Sequence, residues 1–452
     1  MASRSVSPTV SIVNLGCPKN QVEAEKMTAA FQGAGCKYSP DTLSSDIVLI
    51  NTCGFIGPAK SESVDTILSY LELKKERPDL KVVVSGCLFE RYEGELAGEL
   101  PEVDGWLKLP SPERVSQLVT DLGFTRTPRV GPPAYGRPVL LNEPGIAYLK
   151  LSEGCDRPCS FCAIPAIKGA MRSRPIAELV EEARQLALQH GVREINLIAQ
   201  DPAAYGKDLY GAASLTRLLK ALGEVSEVTW FRILYMFPFG LDDEALDYLG
   251  SQPRFCAYLD MPLQHSERSV LARMRRPGDG PRYLEYLEKV RARWPGVALR
   301  TTMLVGHPGE TGQDFDALCE FVRQARFQWL GVFPFSPEEG TFSHGQEGEV
   351  PEQEANLRAE TLREVFEASR DLSVFRLGQA RTALVTELTD GVFGCRTQSE
   401  APEVDGMVYA PRRRGVKPGD LVELRVDEVS GFDFEGEILR KIATAPAAAD
   451  RG

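Results

Sequence analysis

The stretch Cys155-Asp-Arg-Pro-Cys159-Ser-Phe-Cys162 carries three cysteines in a CxxxCxxC pattern. It follows an apolar run that predicts a β-strand, and that strand is the first of six separated by helical patterns. The six strands are predicted at residues 146–151, 194–199, 230–235, 257–262, 299–305 and 330–335. Six strand–helix units are enough for an open, partial (β/α)6 barrel, whose functional loops follow the carboxyl ends of the strands. The cysteine loop is therefore predicted at the mouth of such a barrel.

Three thiolates in one loop can bind three irons of a [4Fe–4S] cluster and leave the fourth iron with open coordination. The amino and carboxylate groups of S-adenosylmethionine (SAM) can chelate that iron. An electron from the cluster can then cleave the C–S bond of SAM and give a 5′-deoxyadenosyl radical. The alternatives are a zinc site and buried, inert thiols. We predict a radical SAM site at Cys155, Cys159 and Cys162.

A second set of three cysteines becomes visible only through the predicted fold. Residues 8–124 alternate short apolar runs with amphipathic helices, which predicts a doubly wound domain with a parallel sheet. Cys17, Cys53 and Cys87 each follow one of these runs. Because the carboxyl ends of parallel strands share one edge, the three thiolates are expected to meet there and hold a second cluster. The alternative is that each is a small core residue.

The rest of the chain adds a third region. Residues 374–442 contain short alternating segments punctuated by glycines, which predict a small antiparallel β-barrel. Residues 125–138 are rich in proline and are interpreted as a linker. The predicted domains are thus 8–124, 141–371 and 374–442, with a disordered tail at 443–452.

Composition and charge indicate a cytosolic protein with a basic partner. No apolar run reaches the length of a membrane span, and residues 1–8 lack the apolar stretch of a signal peptide. A reducing cytosol disfavours structural disulfides, so clustered cysteines are candidates for metal binding or catalysis. The net charge of −12 argues against a large nucleic acid as the main partner.

Five residues near the strand ends are candidates for SAM contacts. Phe161 lies in the cysteine loop and either packs against SAM or only shields the cluster. Gln200, Asp201 and Gln264 end predicted strands, where they either contact the ligand or cap the next helix. Arg300 is a candidate partner for a SAM or substrate carboxylate, with a structural ion pair as the alternative.

The remaining cysteines and two histidines are assigned structural roles. His265 and His307 follow predicted strand ends and could line the site, but satisfied structural roles are favoured. Four cysteines share no spacing and are assigned to packing: Cys36, Cys256, Cys319 and Cys395.

With these two sets of three cysteines, the chain resembles the radical SAM methylthiotransferase family over nearly its whole length. The resembling stretches include Asn14-Leu-Gly-Cys17-Pro-Lys-Asn20, Asn51-Thr-Cys53-Gly-Phe-Ile56, Cys162-Ala-Ile-Pro165, Ala199-Gln-Asp201 and Tyr258-Leu-Asp-Met-Pro-Leu-Gln-His265. The resemblance implies a methylthiotransferase domain, a radical SAM core and a C-terminal TRAM domain. It also implies two [4Fe–4S] clusters and two SAM molecules, one as methyl donor and one as radical source. The N-terminal cluster would take part in supplying or carrying sulfur.

Within the family, the sequence looks like the ribosomal-protein branch, which methylthiolates the β-carbon of an aspartate in ribosomal protein S-twelve. The tRNA branch tends to carry Gln-Met after the first cysteine, Ser-Val-Arg after the second and Gln-Asn in place of Gln200-Asp201, and this chain has none of these. The implied partners are S-twelve or the small ribosomal subunit, with an unidentified electron donor and sulfur source and no membrane. One departure is His307, where the family usually has an aromatic residue.

Two rival functions stay open on the sequence. Arg412-Arg413-Arg414 could contact ribosomal RNA, although such a run is more often a solvated loop. A tRNA adenosine methylthiotransferase keeps the chemistry and changes the substrate. Against it, residues 375–442 hold ten Lys and Arg and twelve Asp and Glu, unlike a basic RNA clamp. A non-catalytic iron–sulfur protein would explain two clusters but not an open three-cysteine loop at a barrel mouth.

Overall fold

The computed structural model describes residues 7–108, 111–124 and 137–443. The chain divides into two compact units. The first comprises Met1–Leu141, Gly154–Asp156 and Ala163–Ala170, and the second comprises Asn142–Glu153, Arg157–Cys162 and Met171–Gly452. Most of the predicted linker and nearly all of the predicted tail lie outside the described residues.

The first unit contains a five-stranded, entirely parallel sheet with the strand order β2-β1-β3-β4-β5. Its elements before the linker are β1 (Thr9–Asn14), α1 (Pro18–Gly33), β2 (Lys37–Tyr38), β3 (Ile47–Thr52), α2 (Gly57–Glu76), β4 (Lys81–Gly86), α3 (Cys87–Glu99), β5 (Gly105–Leu107) and α4 (Pro112–Asp121). The apolar runs predicted β1, β3 and β4. They gave no signal for β2 and β5, which have only two and three residues.

Helices cover both faces of this sheet. All six residues of β3 are buried, as expected for a central strand of a parallel sheet with both faces packed. One core cluster joins the sheet to α1 and α4, for example through Phe31 and Val115. The other joins it to α2 and α3, through Ile67 and Phe89 among others. The predicted doubly wound fold is therefore confirmed.

The second unit contains a six-stranded parallel sheet in the order β13-β12-β11-β10-β9-β6. The elements from the linker onward are β6 (Ile146–Lys150), β7 (Ser152–Glu153), α5 (Ile164–Lys168), β8 (Arg172–Ser173), α6 (Ile176–His190), β9 (Glu194–Ile198), α7 (Lys207–Tyr210), α8 (Leu215–Gly223), β10 (Trp230–Ile233), α9 (Asp243–Ser251), β11 (Phe255–Asp260), α10 (Arg268–Arg273), α11 (Gly280–Arg293), β12 (Ala298–Val305), α12 (Gly312–Ala325), β13 (Trp329–Pro334) and α13 (Glu352–Ser369). Of these, α5 belongs to the first unit. The six sheet strands follow one another in sequence order, which confirms the partial barrel.

A closed five-stranded barrel completes the second unit, in the order β14-β15-β16-β18-β17. Its strands are β14 (Ala380–Thr389), β15 (Val392–Arg396), β16 (Val408–Pro411), β17 (Leu421–Ser430) and β18 (Asp433–Ala443). Four of its strand pairs are antiparallel, whereas β16 and β18 are parallel. Among the described residues, no helix combines the length and the apolar character needed to cross a membrane.

A buried ion network joins the two barrels of the second unit. Glu194 of β9 lies 2.8 Å from the Arg232 guanidinium of β10 and 3.0 Å from the Arg396 guanidinium of β15. Burial by itself would raise the pKa of Glu194, but the two guanidinium groups lower it below its usual range. The network thus holds one negative charge between two positive charges away from water.

We expect Glu194→Gln to destabilise the second unit strongly, because it removes the buried carboxylate that the Arg232 and Arg396 guanidinium groups share. Breaking a buried ion pair from one side costs about 3–5 kcal/mol. Asp427→Asn is the matched control, since Asp427 pairs with Arg425 at the surface, where both side chains are 39% exposed. Surface pairs contribute about 0–1 kcal/mol. Guanidinium denaturation followed by circular dichroism measures both, and equal midpoints for the two variants would contradict the expectation.

Candidate metal centres

The first candidate centre lies at the carboxyl edge of the N-terminal sheet. Cys17 follows β1, Cys53 follows β3, and Cys87 follows β4 and begins α3. These three strands are neighbours in the sheet and run parallel. Cys53 and Cys87 are buried and Cys17 is partly exposed. The structure therefore brings the three predicted residues to one edge.

A glycine next to each cysteine lets the three loops approach closely. A Cβ on Gly16 would lie 2.9 Å from the Sγ of Cys53, and one on Gly54 would lie 2.6 Å from the backbone of α3. A Cβ on Gly86 would lie 2.4 Å from the carbonyl oxygen of Thr52. Gly16 and Gly86 also have positive φ angles, which L side chains rarely adopt. The backbone here is thus packed as tightly as glycine permits around the cysteines.

Asn20 on α1 ties these loops together. Its Nδ2 donates to the carbonyl oxygens of Leu15 at 3.1 Å and Thr52 at 2.9 Å, and its Oδ1 accepts from the Cys87 thiol at 3.3 Å. Asn20 was part of the motif that carried the family resemblance, but the sequence assigned it no role. Its contacts hold the first and second cysteine loops in register with the third.

The Cys17 thiol acts electrostatically on both buried thiols, Cys53 and Cys87. Burial raises the pKa of Cys53, and the nearby Cys17 thiol adds a smaller increase. Burial likewise raises the pKa of Cys87; Lys168 opposes this increase, and Glu23 and Cys17 add to it. The buried thiols are therefore protonated without metal. Because thiolates are the metal ligands, binding of a metal would release these protons.

A buried ion group borders Cys87 within the first unit. The Lys168 ammonium lies 2.8 Å from a carboxylate oxygen of Glu90 and 3.1 Å from one of Glu23. Lys168 ends α5, whose Ile167 packs with Ala163 and Cys87 in a small apolar cluster. The segment that directly follows Cys162 in sequence thus packs against the helix that begins at Cys87.

The second candidate centre is the loop with the CxxxCxxC pattern. Cys155 belongs to the first unit and Cys159 and Cys162 to the second. In the first unit, the Cys155 amide donates to the Gly169 carbonyl at 3.1 Å. In the second, the Cys162 amide donates to the Cys159 carbonyl at 3.2 Å, and the Arg276 guanidinium donates to the Cys159 Sγ at 3.6 Å. A guanidinium donor suits a sulfur that carries negative charge.

The ten cysteines all lie within the described residues, and none of them is in a disulfide. Over those same residues, no three His, Cys, Asp or Glu side chains are arranged ready to hold a metal ion. The thiols and the tight glycine loops suit iron–sulfur ligation in their chemistry, and the ligand assignment stays a prediction.

Gln200 and Asp201 lie at the carboxyl end of β9, with different surroundings. The Gln200 Oε1 is buried and has no hydrogen-bond partner in the part of the chain that the structure describes. A ligand amine or hydroxyl would satisfy it. Asp201 pairs with the Arg157 guanidinium at 2.5 Å and accepts from the Ala203 amide at 3.1 Å, so it also caps the following 3₁₀ turn.

The other three candidates have separate environments. Phe161 is half-buried within the cysteine loop. Gln264 has a φ angle of 77°, and its backbone bridges to Thr302 and Leu304 beside β12. Arg300 is buried and pairs with Asp260 at 2.9 Å and with Asp405 of the C-terminal barrel at 3.3 Å. In this structure Arg300 makes ion pairs within the protein, which is the alternative to a ligand contact.

Comparison with family models divides the chain into three matches. Residues 9–108 match uncharacterized protein family UPF0004, residues 149–322 match the radical SAM superfamily, and residues 377–439 match the TRAM domain. Among solved structures, the fold is similar to that of the radical S-adenosylmethionine methyltransferase TsrM from Kitasatospora setae. That match has a TM-score of 0.53 and 18% identity, and covers 72% of this chain and 73% of TsrM. Fold and cysteine loop together define a radical SAM enzyme with a C-terminal TRAM domain.

Two curated relatives extend over nearly the whole chain. One, from Sorangium cellulosum, is 40% identical and covers 99% of this chain and 95% of its own length. Another, from Anaeromyxobacter sp., is 40% identical and covers 96% of this chain and 93% of its own length. Both are named ribosomal protein uS12 methylthiotransferase RimO. The chain belongs to the RimO family of radical SAM methylthiotransferases, which confirms the family resemblance and favours the ribosomal-protein branch over the tRNA branch.

We expect Gly54→Ala to remove iron from the N-terminal centre only. The added methyl group would collide with α3 at 2.6 Å from the Leu88 Cα, and so would push the Cys53 loop away from Cys87. Reconstituted iron should fall from about eight atoms per chain to about four, the content of one cubane. Gly94→Ala is the control, because a Cβ at this α3 position meets no atom of the described residues within 4 Å. Iron analysis that finds equal contents in the two variants would refute the role of the close approach.

Proposed function

We propose that this enzyme methylthiolates the β-carbon of an aspartate in ribosomal protein uS12, free or in the small ribosomal subunit, in the cytosol. Two SAM molecules and a sulfur donor are consumed. The observation that carries this proposal is membership of the RimO family over 99% of the chain, together with cysteines at the carboxyl edge of both parallel sheets. The domain division at 8–124, 141–371 and 374–442 is part of the proposal.

The proposed cofactors are two [4Fe–4S] clusters and SAM. Cys155, Cys159 and Cys162 would hold the radical-site cluster, and the second set at the N-terminal edge would hold the other. When bound, the radical-site cluster and SAM supply a carbon radical that can abstract a hydrogen atom. Support comes from the glycine-lined approach of the N-terminal loops and from the guanidinium donor at the Cys159 sulfur.

The chain's own polar residues would orient the ligand at the barrel mouth. Gln200 offers a buried oxygen to an amine or hydroxyl of SAM. Asp201 holds Arg157, whose guanidinium stacks 3.8 Å from the centre of the Phe237 ring, and Arg276 stacks on the same ring at 4.5 Å. Two guanidinium groups over one aromatic ring, one of them balanced by Asp201, make a wall with a net positive charge. Such a wall suits the carboxylate of SAM or of the substrate aspartate.

The charge of the chain suits a basic ribosomal protein. The net charge of −12 favours encounter with a basic partner, and the C-terminal barrel carries no basic excess. The run Arg412-Arg413-Arg414 is exposed and could contact ribosomal RNA in the small subunit. Adenosine in tRNA is the alternative substrate.

The two cysteine sets should bind iron independently. Reconstituted protein should hold about eight irons, and Ala substitution of Cys155, Cys159 and Cys162 should leave about four. Triple substitution of Cys17, Cys53 and Cys87 should also leave about four, with reductive cleavage of SAM retained. Iron analysis and detection of 5′-deoxyadenosine measure both effects. Full iron content in the N-terminal triple variant would refute a second cluster.

The substrate is tested by supplying enzyme, reductant, SAM and sulfide to uS12, to small subunits and to bulk tRNA in parallel. Mass spectrometry should place a methylthio group on an aspartate of uS12 and leave tRNA adenosine unmodified. The N-terminal triple variant is the control, and it should cleave SAM without adding sulfur to the protein. A methylthio group on tRNA adenosine, with uS12 unchanged, would overturn the substrate and leave the radical chemistry standing.

A further inference from the structure

His307 is fully buried just beyond β12, next to the radical-site cysteine loop. Its Nε2 lies 2.8 Å from the Ser343 Oγ and 3.5 Å from the Ser160 Oγ. Its Nδ1 lies 3.2 Å from the Pro308 carbonyl oxygen. The ring of Phe335 meets it edge-on, with the ring centres 5.2 Å apart. This is the position where the sequence departs from the family pattern.

Ser160 lies between the second and third cysteines of the CxxxCxxC pattern, and hydrogen bonds hold it in place. Its amide donates to the Met274 carbonyl at 3.1 Å, and its carbonyl accepts from the Ser343 amide at 2.8 Å. The hydroxyl oxygens of Ser160 and Ser343 lie 2.7 Å apart. Main chain and side chain of Ser160 are thus both fixed, and Ser343 contributes to both.

The donors and acceptors of this network can be assigned consistently. Burial lowers the pKa of His307 to about 4, so its ring is neutral at cytosolic pH and has a single N–H donor. Since a carbonyl only accepts, Nδ1 donates to Pro308 and Nε2 accepts from the Ser343 hydroxyl. The Ser343 oxygen is then left to accept from the Ser160 hydroxyl. Each buried polar atom has one role.

We propose that His307 is a positioning residue which, through Ser343, fixes Ser160 and thereby sets the spacing of the sulfur ligands Cys159 and Cys162. The inference rests on the proposed function, because it takes these cysteines as cluster ligands. An aromatic side chain at this position would fill the space but offer no acceptor in the ring plane. The Ser343 and Ser160 hydroxyls would then share one hydrogen bond and leave a buried donor unsatisfied. In this chain, a polar network therefore replaces simple packing behind the cluster loop.

The test uses the full chain with Cys17, Cys53 and Cys87 replaced by Ala, so that only the radical-site iron is observed. Into this background we introduce His307→Phe, Ser343→Ala and His307→Gln. Gln places an amide oxygen near the Nε2 position and restores the acceptor. Ser369→Ala is the matched control, because within the described residues the Ser369 hydroxyl bonds only to carbonyls of its own helix α13.

The readouts are the rate of iron loss to a chelator and the electron paramagnetic resonance spectrum of the reduced cluster with and without SAM. Loss of a residue that orients metal ligands typically weakens metal binding about 10- to 100-fold. His307→Phe and Ser343→Ala should therefore lose iron at least about tenfold faster and show an altered spectrum. His307→Gln and Ser369→Ala should stay close to the background protein.

The double variant His307→Phe/Ser343→Ala distinguishes simple misfolding from loss of the shared network. It tests whether His307 acts through Ser343. Because both changes break the same chain of contacts, the double variant should lose iron no faster than Ser343→Ala alone. Additive effects, or unchanged iron loss in His307→Phe, would overturn the inference. A background protein that binds no iron would instead refute the assignment of the three loop cysteines as ligands. The two failures are thereby distinguished.

Discussion

Parallel strand pairing is the constraint on which both candidate centres depend. Every strand of a parallel sheet ends at the same edge, so residues that follow different strands become neighbours whatever their separation in sequence. In the first unit this brings Cys17, Cys53 and Cys87 to one edge of the sheet. In the second unit the same edge receives Gln200 and Gln264. At the first edge, glycines let the backbones approach so closely that a Cβ in their place would collide with the neighbouring loop.

A buried ion group around Arg300 joins the partial barrel to the C-terminal barrel. Arg300 pairs with Asp260 of its own sheet and with Asp405 of the C-terminal barrel, and Tyr258 donates to Asp405 at 2.6 Å. Burial raises the pKa of Asp405 to about 6, and Arg300 opposes this increase. Together with the Glu194 network, these contacts fix the C-terminal barrel to the core by charge complementarity. Arg300, a candidate for a ligand carboxylate, thus has two carboxylate partners within the protein itself.

Much of the fold could be read from the sequence, because long apolar runs and amphipathic helices have periods that depend only on local geometry. The strands β1, β3, β4 and the six strands of the partial barrel were found in this way. The short strands β2 and β5 were not, since strands of two and three residues carry little periodic signal. The parallel pair β16 and β18 was also missed, because pairing direction is set by chain topology rather than by local pattern.

The sequence alone determined the class of chemistry. The spacing of Cys155, Cys159 and Cys162 is local, and three cysteines after three apolar runs needed only the rule for parallel strand ends. Tertiary structure alone decided what surrounds these thiols: Asn20 beside Cys87, Lys168 between two carboxylates, and His307 behind the cluster loop. Such contacts join residues separated by up to 183 positions, as between Ser160 and Ser343, and hydrogen-bond geometry at that separation leaves no periodic trace in the sequence.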